Sequence, residues 1–303
     1  MSESKNTPAV KPYKKRRGDR KDGRLLRELD GLHFVTGVIF PKRCDNEAFI
    51  SERLDLTEVN KYLAEKNAGL SEDDYKYNLF QVVVTTILKV ITLKPKMNRF
   101  IQNCNFYQRD EVSASFVVKK VLSESGAEAL AIVHSKPEMT IEDIHEIMRE
   151  QIYSCRSDKI DASSDAMDMF NKMPRFVGKA ALNLMCWLDK HGKVPASLIE
   201  TDPYYTSCII SNLGSIKLHS GYHHLANWGT CSFFVVLGER KKRPYFDDEG
   251  NCEMRDSVDI GMTVDERLAD GYYYSKCIAL LREIFANPWV LDRPLSEEPS
   301  SNN

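Results

Sequence analysis

Two short polar stretches carry side chains able to do chemistry. Ser211-Asn212-Leu213-Gly214 closes a predicted strand, and Asp265-Glu266-Arg267-Leu268-Ala269-Asp270-Gly271 joins a second predicted strand to the last helix. A third stretch, Arg240-Lys241-Lys242-Arg243, could contact phosphates, for which arginine and lysine are suited. The plainer reading, a solvated hairpin turn whose charges keep a sheet edge soluble, is preferred for it. The eight cysteines (Cys44, Cys104, Cys155, Cys186, Cys208, Cys231, Cys252 and Cys277) form no Cys-x-x-Cys pair and do not cluster with histidine at zinc-ligand spacing. Reduced thiols of a cytoplasmic protein, with no metal, are expected. Neither a Gly-x-Ser-x-Gly elbow nor a Gly-x-Gly-x-x-Gly fingerprint occurs, so serine hydrolase and Rossmann oxidoreductase readings lose their main support.

These stretches need elements to hold them. Helical spacing or capping signals predict helices around Val59 to Lys66 with Thr57 as cap, from Thr140 with apolar positions to Ile152, from Asp165 or Pro174 to Lys190, and over Tyr272 to Phe285. Asn78 to Leu93 is rich in β-branched residues, which favours a strand, but its length and the stop at Pro95 favour a buried helix. Strands are predicted at Val112 to Val121, Ala129 to Val133, Ser207 to Ile210, Cys231 to Leu237 and Val258 to Val264. With no internal repeat and no dividing linker, the body reads as one mixed α/β domain over residues 25–293.

The chain has 303 residues, 42% of them hydrophobic, with 42 basic and 44 acidic side chains for a net charge of -2. That balance disfavours a nucleic-acid binder, which needs a positive excess to neutralise phosphates. No apolar run approaches the roughly 20 residues of a membrane span, so no membrane partner is expected. Residues 1–24 carry nine Lys or Arg against three acids and read as a solvated, flexible arm; residues 294–303 read as a disordered tail.

The Ser211 and Asp265 to Gly271 motifs, with the Pro95-x-x-Asn98-Arg99-Phe100 turn, the strand ending at Lys119-Lys120 and the closing Asn287-Pro288, resemble the catalytic domain of the 2-oxo acid dehydrogenase (dihydrolipoyl) acyltransferases. That family shares its fold with chloramphenicol acetyltransferase. The resemblance covers roughly residues 25 to 293. It implies a mixed sheet with packed helices, an α+β two-layer arrangement, and a homotrimer whose active site lies between subunits. It also implies transfer of an acyl group from acyl-coenzyme A to a small acceptor, by a stand-alone chain without a lipoyl domain. Ser211 falls where the family keeps the hydroxyl that stabilises the oxyanion, and Asp270 where it keeps a structural aspartate. Asn212, Gly214, Arg240 and Lys241 are the candidate coenzyme A contacts.

One position departs from the pattern. The family motif is His-x-x-x-Asp-Gly, its histidine being the general base, and Glu266 stands at that position. A thiol of pKa about 8.5 gives its proton usefully to an imidazole of about 6.5 but poorly to a carboxylate of about 4.3. A carboxylate also repels the thiolate that forms. Loss of a general base forfeits about 10²- to 10⁴-fold, so weak or altered activity is expected unless another group substitutes. His219, His223 and His224 are candidates, His223 and His224 lying within Gly221-Tyr-His-His-Leu-Ala-Asn-Trp-Gly. The preferred alternative is that they pack against Trp228 or a neighbouring subunit as satisfied histidines. Glu266 is either the base or a buried carboxylate paired with a residue such as Arg43. A non-catalytic trimer that binds acyl-coenzyme A or a protein partner is the alternative function.

Overall fold

The computed structural model describes residues 13–119, 128–156 and 172–299. Among them a seven-stranded mixed sheet has the order β2-β10-β8-β7-β5-β6, with β9 paired to the outer half of β10. Its strands are β2 (Glu47–Asp55), β5 (Val112–Lys119), β6 (Glu128–Ser135), β7 (Cys208–Asn212), β8 (Phe233–Leu237), β9 (Lys241–Phe246) and β10 (Cys252–Asp265). Strand β7 runs parallel to β5 and β8; the other pairings are antiparallel. A smaller sheet joins β1 (Gly23–Leu25), β4 (Asn105–Arg109) and β3 (Arg99–Gln102).

Helices cover one face of the large sheet. Helix α3 (Leu79–Leu93) lies at the centre, beside α2 (Thr57–Lys66), α4 (Ile141–Arg156) and the last helix, α7 (Gly271–Ala286). Their apolar side chains meet Cys208, Ile210, Phe233, Val235 and Leu237 in one core. The β-branched residues of α3 fold as a helix because burial outweighs their weak helix propensity. A capping box supplies the start: Asn78 Oδ1 accepts from Gln81 N, and Gln81 Oε1 accepts from Asn78 N.

The opposite face is closed by a strap, residues 217–232, which runs between the turn after β7 and the start of β8. Alternation along β7 and β8 turns Ile209, Ser211, Phe234 and Val236 away from the helices, and Leu225 and Cys231 pack on this side. All five residues of β8 are buried, as a strand covered on both faces should be. The strap lies so near the sheet that a Cβ on Gly261 would stand 1.9 Å from the Gly221 carbonyl oxygen. Only glycine admits that approach.

Several expectations change. Of the basic segment read as a solvated arm, residues 1–12 lie outside the described residues, and the part from Arg20 onward is packed: Arg20 is 5% exposed and β1 pairs with β4. The Arg20 guanidinium pairs with Asp22 at 2.9 Å and with Asp189 at 3.1 Å, the partnership that lets a charge leave water. Of the segment read as a tail, residues 300–303 lie outside the described residues, and its start is anchored as well. Leu295 is buried, its N–H donates to Met139 O at 2.9 Å, and Lys89 Nζ donates to Pro294 O at 2.7 Å. Thr57 is the first residue of α2 rather than its cap; Asp55 Oδ1 accepts from Thr57 N at 2.8 Å. Helix α5 (Arg175–Lys190) starts after Pro174 and is followed by the short α6 (Ala196–Thr201), and the alternative start at Asp165 lies outside the described residues. Helix α1 (Gly31–Ile39) and the β3–β4 hairpin escaped the sequence reading. The hairpin turns on Asn103 and Cys104, both at positive φ, in place of the glycine that normally advertises such a turn.

Candidate functional site

Strand register sorts the candidate residues into two groups. Ser211 lies on β7 opposite Val236 of β8, which in turn lies opposite Gly261 of β10. Glu266 is five residues beyond Gly261, so roughly 16 Å of strand separates the two levels at about 3.3 Å per residue. Ser211 and Glu266 therefore stand toward opposite ends of the central strand β8 within one chain.

At the first end, Ser211 is half-buried on the strap side and its hydroxyl has no partner among the described residues. Asn212 begins a 3-10 turn: its Oδ1 accepts from Ser215 N at 3.2 Å, and Ser215 Oγ donates back to Asn212 O at 2.8 Å. Gly214 packs on the chain leaving β8, where a Cβ would meet Gly238 O at 2.4 Å. Arg240 and Lys241 reach the same end as the start of the β9–β10 hairpin, with their charges already engaged. Arg240 pairs with Asp256, and Lys241 Nζ lies 2.6 Å from Glu239 Oε1.

His223 and His224 lie on the strap between the two ends, and both are exposed. The His223 ring stacks on Phe234 at 4.3 Å and on His224 at 4.4 Å, and its Nδ1 is 3.0 Å from His224 O. Phe234 pairs with Ile209, two residues before Ser211 on the same face, so His223 is the imidazole held over the Ser211 side of the sheet. Its packing partner is Phe234 rather than Trp228, whose indole N–H donates to Asp202 at 2.6 Å. His219 is exposed and 3.4 Å from Glu239.

The second end is a rigid corner. Asp265, the last residue of β10, is fully buried and grips Arg267, also buried, through two parallel contacts, Nε to Oδ1 at 2.7 Å and Nη2 to Oδ2 at 2.5 Å. Such a bidentate pair fixes orientation as well as charge. Tyr274 Oη donates to Asp265 O at 2.9 Å, and burial together with the nearby Asp265 charge pushes this phenol well above its ordinary pKa. Glu266 N donates to Asn46 O at 3.0 Å, which ties the corner to the loop before β2. With its neighbours on both sides locked inward, the Glu266 side chain projects to solvent, and no cation reaches its carboxylate among the described residues. Asp270 caps α7, accepting from Tyr273 N at 2.7 Å.

Arg43 is not the partner of Glu266. Its guanidinium, 3% exposed, donates to the backbone carbonyls of Ala226, Ile101 and Gly229, and Arg43 N donates to Asn227 Oδ1 at 3.0 Å. Arg109, also buried, donates to Tyr205 O and to both oxygens of Thr230. Burial lowers the pKa of both, that of Arg109 to about 10. These two arginines hold the end of the strap, a role that no local signal in the sequence announces. An open cleft of about 400 Å³ adjoins Arg43, lined by Lys42, Arg43, Gln102, Cys104, Lys190 and Asn227. No group of three or more His, Cys, Asp or Glu suited to a metal is found among the described residues, nor any helix long and apolar enough to cross a membrane.

No protein-family model matches the chain, and no curated protein matches it by sequence. Solved structures do match. A probable dihydrolipoamide acetyltransferase from Listeria monocytogenes 4b F2365 superposes with a TM-score of 0.57 at 14% identity, covering 86% of this chain and 94% of that one. The cubic core of a pyruvate dehydrogenase multienzyme complex gives 0.58 at 12% identity, covering 88% and 94%. A chloramphenicol acetyltransferase gives 0.53 at 12% identity, covering 87% and 99%. The mixed sheet, its helical layer and the strap thus form the fold shared by dihydrolipoamide acetyltransferase catalytic cores and chloramphenicol acetyltransferase.

Proposed function

We propose that this protein is a coenzyme A-dependent acyltransferase acting as a homotrimer, with Ser211 of one chain facing the Glu266 corner of the next. The observation that carries this reading is the separation of the two motifs: they sit toward opposite ends of the central strand β8, and only a second copy can bring them within reach of one substrate. Exposed apolar surface fits an assembly. On α1 and just beyond it, Leu32, Phe34, Val38, Ile39 and Phe40 are all exposed, and such patches on a soluble protein mark contact surfaces. In this reading the free Ser211 hydroxyl donates to the oxyanion of the tetrahedral intermediate. Glu266 takes the acceptor's proton, the bidentate Asp265–Arg267 pair holds it in place, and Asp270 orients the start of α7. His223, the imidazole on the Ser211 side, is the alternative base in place of Glu266. Acyl-coenzyme A enters as substrate along the Asn212, Gly214, Arg240 and Lys241 end. Arg240 and Lys241 exchange their surface ion pairs for phosphate at little cost, since such pairs are worth about 0–1 kcal/mol.

The second reading, a trimer that binds acyl-coenzyme A or a protein partner without catalysis, is favoured by the carboxylate where relatives keep an imidazole. Release of free coenzyme A from acetyl-coenzyme A over a panel of acceptors separates the two. Transfer by the wild type that Glu266→Gln abolishes supports the enzyme. An inactive wild type that gains transfer on Glu266→His supports the non-catalytic trimer.

A further inference from the structure

We infer that the acyl acceptor is a cationic primary amine rather than a thiol or an alcohol. This rests on the acyl-transfer reading above and concerns the side chain that would face the acceptor. Glu266 is exposed and free of any cation among the described residues, and its direction is set by a buried pair whose own charges cancel. The Arg267 guanidinium is buried, pairs with Asp265 and donates from Nη1 to Phe40 O, and no ion pair joins it to Glu266 among the described residues. On residues 41–46 and 265–271, which meet at the corner, the exposed charged residues are Lys42, Asp45, Glu266 and Asp270, three negative against one positive. A site of that sign attracts an ammonium ion and opposes a thiolate. It is the reverse of what an imidazolium would do at the same place.

The step balances without any further reagent. The protonated amine docks on the carboxylate and its nitrogen, once deprotonated, attacks the thioester carbonyl carbon. The C–N bond forms, the oxyanion collapses and the C–S bond breaks. Coenzyme A leaves with the bonding electron pair as thiolate. Of the two protons that the nitrogen sheds, one is taken by Glu266 and passed to that thiolate, and the other goes to solvent. The products are an amide and free coenzyme A.

The test compares 1,4-diaminobutane, 1,4-butanediol and dihydrolipoamide as acceptors with acetyl-coenzyme A, following the acylated product by mass spectrometry and subtracting enzyme-free rates. The diamine is expected to be acylated at least about ten-fold faster than either other acceptor, and Glu266→Gln to lower that rate by about 10²- to 10⁴-fold, with acetyl-coenzyme A affinity by calorimetry unchanged. Glu266→His is expected to shift preference toward dihydrolipoamide. Transfer to the diol or dihydrolipoamide with no preference for the diamine overturns the inference and leaves the acyl-transfer reading standing. Absence of both transfer and acetyl-coenzyme A binding overturns the two together.

Discussion

The two ends of the large sheet are built on different principles. Toward the Glu266 end the charges that hold the frame are buried and partnered: Asp265 by Arg267, Arg43 by backbone carbonyls, Arg109 by Tyr205 and Thr230, Arg20 by Asp22 and Asp189. At the Ser211 end the ion pairs lie at the surface, and position comes from glycine contacts, Gly214 on Gly238 and, further along, Gly261 under the strap. One end aims a side chain by desolvated electrostatics, the other by close packing of backbone on backbone. The first tolerates no unpaired partner, and the second tolerates no Cβ.

Substitutions at each end test that contrast. The largest effect is expected from Arg267→Met, which strands the Asp265 carboxylate in the interior; breaking one side of a buried pair costs about 3–5 kcal/mol, read as a lower denaturant midpoint. The double variant Asp265→Asn with Arg267→Met should recover most of that loss, because removing both charges removes the penalty. Equal instability of single and double variants would show that packing, not charge, holds the corner. Next, Ser211→Ala is expected to lower acyl transfer by about 10²- to 10³-fold while moving stability by no more than about 0.5 kcal/mol. A comparable fall in stability would make Ser211 a structural residue. Gly261→Ala should cost about 1–3 kcal/mol by forcing the strap off the sheet, with faster proteolysis near Lys217 as an independent readout. The smallest change belongs to Arg240→Ala, whose half-exposed pair with Asp256 is worth about 0–1 kcal/mol. A loss as large as that of Arg267→Met would erase the distinction between the two ends.

Some of this was legible from local signals. The helix over Asn78 to Leu93 follows from its length and its stop at Pro95, and α7 from its spacing and the Asn287-Pro288 end. Ser211 at a strand end and Asp270 at a helix start follow from the polar residues themselves. Other features depended on partners remote in the chain. Arg20 looks like part of a solvated basic run until Asp189, 169 residues away, receives it. The β3–β4 turn bends on Asn103-Cys104, and α1 carries an apolar face that stays exposed, so neither matched the usual signals.

By itself the sequence determined the types of the main core elements, because periodicity and chain punctuation are local, and it identified the two motifs, because residue type is all that a motif needs. Tertiary structure alone decided that Ser211 and Glu266 lie at opposite ends, that Glu266 faces solvent instead of Arg43, and that His223 lies on Phe234. Register, burial and ion pairing depend on which strands lie side by side, and that is settled only when distant segments compete to leave water together.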